Sequence, residues 1–266
     1  MINNFDEEAA KKVIYDDEKI NVTETNPLKE LGKVCVQLLL IGVVIYFSIF
    51  IGSGIVLATL SPESQVKLEK ILSGLDNPPV VKIKDKKRLL AIRNNILKLD
   101  KDFPKTANLD INVIDAKVMN AFCYPNGNIY ITSSLYNRLK TDEQFTFLLA
   151  HEMGHYKYRD HLQALRRNLA NSIVLILLSV TGGNDKRISS MFGGSLSISD
   201  LKYSRKAEER ADKYAIKITT SIYGSADAGV ELMEILKEQR GWGPEFLSTH
   251  PNIEKRIKYI RKNSTK

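Results

Sequence analysis

Cysteine is nearly missing from this chain: of its 266 residues only Cys35 and Cys123 carry thiols, the first inside an apolar run and the second far from it. A disulfide framework is therefore not indicated, and without a C-x-x-C pair a thiolate metal cluster is excluded. Internal repeats are absent, so solenoid and propeller architectures fall away. Aromatic residues are missing from the densest basic run, residues 82–88, where five positive charges surround one Asp. That run reads as a solvated or lipid-facing strip, and nucleic acid is not expected as a partner. Charge itself is missing from residues 34–62.

This uncharged stretch is almost wholly apolar. A helix of that length, rising about 1.5 Å per residue, exceeds a hydrocarbon core of about 30 Å. The expectation is one membrane-spanning helix at 34–60. The run is too long for a signal-peptide core, follows 33 mostly polar residues and lacks an A-x-A site. Lys29 and Lys33 flank one end and Lys67 and Lys70 the other, so the positive-inside balance leans only slightly to a cytoplasmic N-terminus. With that lean, the remainder of the chain lies on the non-cytoplasmic side. The net charge of +8 and pI near 9.2 are compatible with contact to membrane lipid.

The chain divides by pattern into a polar segment at 1–33, the span at 34–60, a juxtamembrane linker at 61–84 and one main domain at 85–266. A short helix is expected at 63–72, and Asn77-Pro78-Pro79 breaks the chain before a helical pattern through Leu89, Ile92, Ile96 and Leu99. Residues 109–114 alternate as a strand does, and 118–124 and 128–132 flank Pro125-Asn126-Gly127, predicting a small antiparallel sheet with a tight turn. Thr141 and Gln144 form a capping box ahead of a long helix. The apolar run 169–180 is too short to span a bilayer and reads as a buried helix, and the Gly- and Ser-rich stretch 181–199 reads as a loop able to act as a lid. Ser204 caps a helix through Asp212, and two more helices are expected at 226–239 and 251–261. The fold class is α+β, mostly helical.

The long helix carries His151-Glu152-Met153-Gly154-His155. Positions i and i+4 lie about 40° apart around a helix, so the imidazoles of His151 and His155 project side by side and can share one metal. Glu152 is offset by about 100° from His151, towards His155, beside the metal without ligating it. It can take a proton from an activated water and pass it to a leaving amine. Zn2+, one per chain, suits two neutral imidazoles, a carboxylate and an open position for water. Glu208 is the candidate third ligand, and Asp212, on the same face of its helix, can accept a hydrogen bond from a ligand imidazole. His161 follows His155 by six on what should be the same helix, pointing away, and is rejected as a ligand.

Four ordered segments resemble the membrane-associated gluzincin metallopeptidases, a group that includes HtpX, the Ste-type CAAX prenyl endopeptidases and BepA-like proteases. They are Asn120-Ala121-Phe122 with Pro125, Gly127 and Ile129; residues 149–155; residues 204–212; and Ser248-Thr249-His250-Pro251 with Arg256. The resemblance covers roughly 85–261 and implies a zincin-like domain with Glu208 as third zinc ligand and Asp212 as its companion. It also implies that the strand at 128–132 is an edge on which an extended substrate is laid, so that Asn128, Ile129, Tyr130 and Ile131 bind backbone and Asn120 lines the cleft. His250 would sit near the metal, stabilising an oxyanion or occupying the open position at rest. One span in place of several departs from the prenyl endopeptidases, whose substrate is not carried over. The implied substrates are unfolded or misassembled membrane or envelope proteins. Oligomeric state is not legible. Two other readings stay open: a zinc-stabilised chaperone or adaptor that holds segments without cutting them, and a basic nucleic-acid binder resting on charge alone.

Overall fold

The computed structural model describes residues 26–59, 64, 67, 78–105, 107–164, 166–167, 202–238 and 250–264. The expected helix at 63–72 (residues 64 and 67 apart), the apolar run 169–180, the Gly-rich loop 181–199 and most of the polar N-terminal segment lie outside these residues.

The chain forms two compact units, Met1–Ile45 and Tyr46–Lys266. Helix α1, Pro27–Thr59, is long and apolar enough to cross a membrane, with a mean hydropathy of 2.7 and no burial in its apolar window. Leu39, Ile41, Val44 and Ile51 are all exposed along it. Such a surface in water is unfavourable, and a hydrocarbon environment is what removes the cost.

The second unit contains β1 (Val80–Val81), α2 (Lys86–Leu99), β2 (Ile111–Ile114), β3 (Ala121–Cys123), β4 (Ile129–Thr132), α3 (Ser133–Arg138), α4 (Asp142–Lys157), α5 (Arg205–Tyr223), α6 (Asp227–Glu238) and α7 (Ile253–Asn263). Leu89, Ile92 and Ile96 of α2 are buried as the helical pattern requires, whereas Leu99 is exposed at the helix end.

The sheet is mixed, correcting the antiparallel expectation: its order is β1-β2-β4-β3, with β2 and β4 parallel and β3 and β4 joined as an antiparallel hairpin. The hairpin turns at Tyr124–Gly127, closed by a 2.8 Å bond from the Gly127 amide to the Tyr124 carbonyl. Gly127 takes φ +88°, and a Cβ there would also crowd Ala107. This order overturns a second expectation. The strand at 128–132 is not an edge, because β4 is hydrogen-bonded on both sides. The backbones of Ile129, Tyr130 and Ile131 are thus already spent on β2 and β3. Among the described residues the edges are β1 and β3.

Helix α4 runs through the middle of the core, buried continuously from Gln144 to Tyr156. Its start is the expected capping box: the Thr141 hydroxyl accepts from the Gln144 amide at 3.2 Å, and the Gln144 side chain accepts in return. Ser204 likewise accepts from the Ala207 amide at 3.2 Å and opens α5, which ends at Gly224 in the left-handed conformation.

Candidate metal centre

The buried helix α4 and the buried face of α5 supply most of the polar groups at the centre of the unit. In α4 the apolar residues Phe145, Leu148 and Leu149 carry the chain into the core, so His151, Glu152 and His155 arrive fully buried. Gly154 then lets α5 approach, since a Cβ at this position would lie 3.2 Å from the Ala211 Cα. Glu208 and Asp212 flank that contact along α5 and face the histidines.

The donor atoms converge. His151 Nε2 and His155 Nε2 are 3.1 Å apart, Glu208 Oε1 is 3.4 Å from His155 Nε2, and Glu208 Oε2 is 3.7 Å from His151 Nε2. Two ligands at about 2.0–2.1 Å from a tetrahedral ion stand roughly 3.3 Å apart, so these spacings suit a zinc-sized cation. His250, also buried, joins the group with Nδ1 3.1 Å from Glu208 Oε1, and each of the four residues offers a ligand atom within 4.8 Å of the others.

Glu152 is fully buried, and neither carboxylate oxygen has a hydrogen-bond partner among the described residues. Burial raises its pKa above the ordinary 4.5, with His250 and His155 opposing the shift. A buried carboxylate without a donor is expensive unless a cation or a reacting group is its partner. The donor set, the spacing and this orphaned carboxylate all fit zinc.

Further charges organise the donors. Burial works against the charge of Glu208, but His250 and Arg256 outweigh it and hold its pKa well below the usual carboxylate range. Arg256 makes two bonds to Asp212, at 2.8 and 2.7 Å, and lies 2.8 Å from Glu208 Oε2. Asp212 Oδ1 in turn lies 3.0 Å from His151 Nδ1. His151 is driven down to about 4 by burial and by Arg256, against the pull of Asp212. For His155 burial also disfavours the cation, yet Asp160 and Glu208 reverse it and raise the value to about 9.

The sequence-derived residues fall into two sets. His151, Glu152, His155, Glu208, Asp212 and His250 come together. Asn120 stands at the start of β3, its backbone paired to Thr132 and its side-chain oxygen accepting from the Ala121 amide at 2.9 Å. Asn128 accepts from the Asn108 side-chain amide at 2.9 Å and is not among the converging donors. Arg256, Asp160 and Tyr203, whose ring stacks on His155 at 3.9 Å, join the site without a role assigned from sequence. Arg256 was visible only as part of a matched segment. His161 is not on the site helix, which ends at Lys157; Arg159 takes φ 56° and a new helical segment begins at 160. It stacks on Tyr156 and is not among the converging donors, so its exclusion stands on different geometry.

Two histidines one turn apart, with a buried glutamate between them and a third donor from a second helix, are the arrangement of the HExxH class of metallopeptidases. The chain belongs to Peptidase family M48, which matches residues 85–264. It is 30% identical over 163 residues to the mitochondrial metalloendopeptidase OMA1 of Danio rerio, covering 56% of this chain and 34% of that protein. It is 26% identical over 157 residues to the metalloprotease LoiP of Escherichia coli (58% and 62%) and 24% identical over 158 to the beta-barrel assembly-enhancing protease of the same species (54% and 32%). The chain thus spans about a third of the length of the OMA1 relative.

Proposed function

We propose that this protein is a single-pass, membrane-anchored zinc endopeptidase acting in quality control of membrane or envelope proteins. The observation that carries the reading is Glu152: a buried carboxylate without a hydrogen-bond partner among the described residues, beside a converged set of metal donors. His151, His155 and Glu208 would hold the ion, Asp212 orients His151, and His250 would stand beside the reacting carbonyl to stabilise an oxyanion.

Zinc at this position supplies Lewis acidity, activating water near neutral pH and polarising the scissile carbonyl. Glu152 takes the proton of the attacking water and delivers it to the leaving amine, a transfer favoured by its raised pKa. Tyr203 packs flat on His155 and limits the ring's movement.

Among the described residues β3 is an edge of the sheet, and substrate is laid in extended form along it. Thr132 and Asn128 bond the backbones of Asn120 and Tyr124, so by the alternation of an antiparallel ladder the backbone groups of Ala121 point away from β4. An extended peptide added there runs past Asn120. The Lys29 and Lys33 flank favours a cytoplasmic N-terminus, hence a non-cytoplasmic catalytic unit. Relatives named as proteases of mitochondria and of β-barrel assembly support substrates of the membrane and envelope kind.

The test is Glu152→Gln in intact membranes, with zinc analysis and substrate-trapping proteomics. The variant is expected to retain zinc, lose hydrolysis and accumulate bound membrane or envelope proteins. Chelator-sensitive casein cleavage at the unaltered rate by this variant, purified free of other proteases, would overturn the mechanism. Zinc-bound unaltered protein that binds unfolded chains but cleaves no peptide library would favour a holding role instead.

A further inference from the structure

Each metal-directed imidazole is gripped from behind by a carboxylate, and each carboxylate by an arginine. For His151 the partners are Asp212 and Arg256, from α5 and α7. For His155 they come from another part of the chain. Its Nδ1 lies 2.9 Å from Asp160 Oδ2, and the other oxygen of Asp160 accepts from Arg210 of α5.

Asp160 is 1% exposed, so it meets little water, and among the described residues His155 and Arg210 lie within ion-pair distance of its carboxylate. Arg210 is fixed on its other side by the Tyr158 ring, 4.6 Å from the guanidinium carbon to the ring centroid. The chain goes out of its way to bring Asp160 here. Had α4 continued, position 160 would have been carried along the helix axis beyond His155. Instead α4 stops at Lys157, Arg159 adopts φ 56°, disfavoured for a side chain with a Cβ, and Asp160 folds back beside the imidazole. Local strain thus coincides with a specific buried contact to a site residue.

We propose that Asp160, braced by Arg210, is a positioning residue of the metal centre: it accepts from Nδ1–H of His155, fixing the tautomer whose Nε2 faces the metal and making that nitrogen a stronger donor. The assignment rests on the reading of His151, His155 and Glu208 as zinc ligands. Both imidazoles are then supported in the same way, Asp212 holding His151 and Asp160 holding His155. The simpler alternative is a buried ion pair that only ties the segment after α4 to α5.

The experiment uses the full-length protein in detergent and compares Asp160→Asn, Asp160→Ala, Arg210→Ala and Arg210→Lys. Zinc affinity is read by chelator competition, ligand geometry by the visible bands of the cobalt-substituted protein, and the protonated ring nitrogen of His155 by 15N NMR of the zinc-bound protein. Removing the carboxylate is expected to weaken zinc binding about 10–100-fold. Asp160→Asn, which keeps a carbonyl acceptor without charge, should fall between the unaltered protein and Asp160→Ala. Arg210→Ala should weaken binding less, with partial recovery in Arg210→Lys. Loss of the single Nδ1–H tautomer in Asp160→Ala, with shifted cobalt bands, is the matching signature.

A lowered melting temperature with zinc affinity within twofold of the unaltered protein and unchanged cobalt bands would overturn the proposal, leaving a tie between segments. Should Asp160→Ala fail to fold, Asp160→Asn and Arg210→Ala decide by the same readouts. His155→Ala is the control for the underlying reading. If it binds zinc as tightly as the unaltered protein, the metal centre itself is wrong; if it loses zinc while the Asp160 variants do not, only the Asp160 assignment falls.

Discussion

Gly154 and Ala211 bring the two site helices into backbone contact, with only 3.2 Å between the Ala211 Cα and the position a Gly154 Cβ would take. The same Cβ would meet Tyr214 Cδ1 at 3.4 Å. The glycine inside the motif therefore sets the distance between the histidines of α4 and the carboxylates of α5. Its low helix propensity is the cost of that approach.

Gly154→Val is expected to force α4 and α5 apart. The branched side chain meets backbone, which cannot swing aside, so the loss of stability should be about 1–3 kcal/mol, as overpacking typically costs. Zinc affinity should fall with it, because Glu208 moves while His151 and His155 stay on α4. Urea unfolding and chelator competition check the two effects. A variant with unchanged stability and affinity would show that the helices do not depend on this contact.

Arg256→Ala tests the charge network. The guanidinium, 5% exposed, neutralises both Glu208 and Asp212, and its removal leaves two buried carboxylates facing each other's field. Breaking a buried pair in this way costs about 3–5 kcal/mol. Zinc should partly rescue the variant by supplying positive charge near Glu208, so the destabilisation is expected to be largest in chelator. Arg256→Lys should recover only part of the loss, since one ammonium cannot reproduce the bidentate grip on Asp212 and reach Glu208 as well.

Much of this centre was legible before any coordinates because helical periodicity is local. The spacing of His151 and His155 fixes their common face, and Glu208 and Asp212 share theirs for the same reason. The capping box at Thr141 and the core positions of α2 follow equally from short-range rules. What was not legible depends on contacts between distant segments. The parallel pairing of β2 with β4 inserts a strand between elements that look like a simple meander, and so among the described residues β3, not β4, is at the edge. Asp160 was hidden by an end of helix α4 that no Gly or Pro announces: Arg159 takes the left-handed conformation in its place. Arg256 lies 44 residues from Asp212, and an arginine on a charged helix such as α7 carries no local sign of burial.

Asp100 should make stability depend on acid. It accepts from Lys157 Nζ at 2.6 Å and from the Tyr214 hydroxyl at 2.8 Å, tying the ends of α2 and α4 to α5. Burial opposes its ionisation, but the bonds from Lys157 and Tyr214 prevail and hold its pKa below the ordinary 3.8. A carboxylate with a depressed folded pKa contributes stability that is complete above its unfolded value and lost as pH falls through the folded one. Asp100→Asn is therefore expected to destabilise the protein at pH 7, with the difference from the unaltered protein shrinking once the pH drops below 3.8. Denaturant unfolding across pH 3 to 7 checks the sign; a gap that widens in acid would contradict it.

Glu152→Gln should separate stability from catalysis. In the metal-free protein Glu152 is a buried carboxylate with no hydrogen-bond partner among the described residues, and its raised pKa reports that the charged form is disfavoured by burial. At neutral pH such a group subtracts from stability, because the unfolded chain carries the charge in water. A neutral amide of the same shape is cheaper to bury. The variant is thus expected to unfold at higher urea than the unaltered protein when both are stripped of zinc, by an amount on the order of 1 kcal/mol. Hydrolysis should fall by about 10²–10⁴, the usual contribution of a positioned proton-transfer group. Opposite movements of stability and activity are what a catalytic carboxylate kept unpartnered for its reaction requires. A Glu152→Gln variant less stable than the unaltered protein would instead mean that Glu152 holds the fold together, and its assignment as the base would lose its main support.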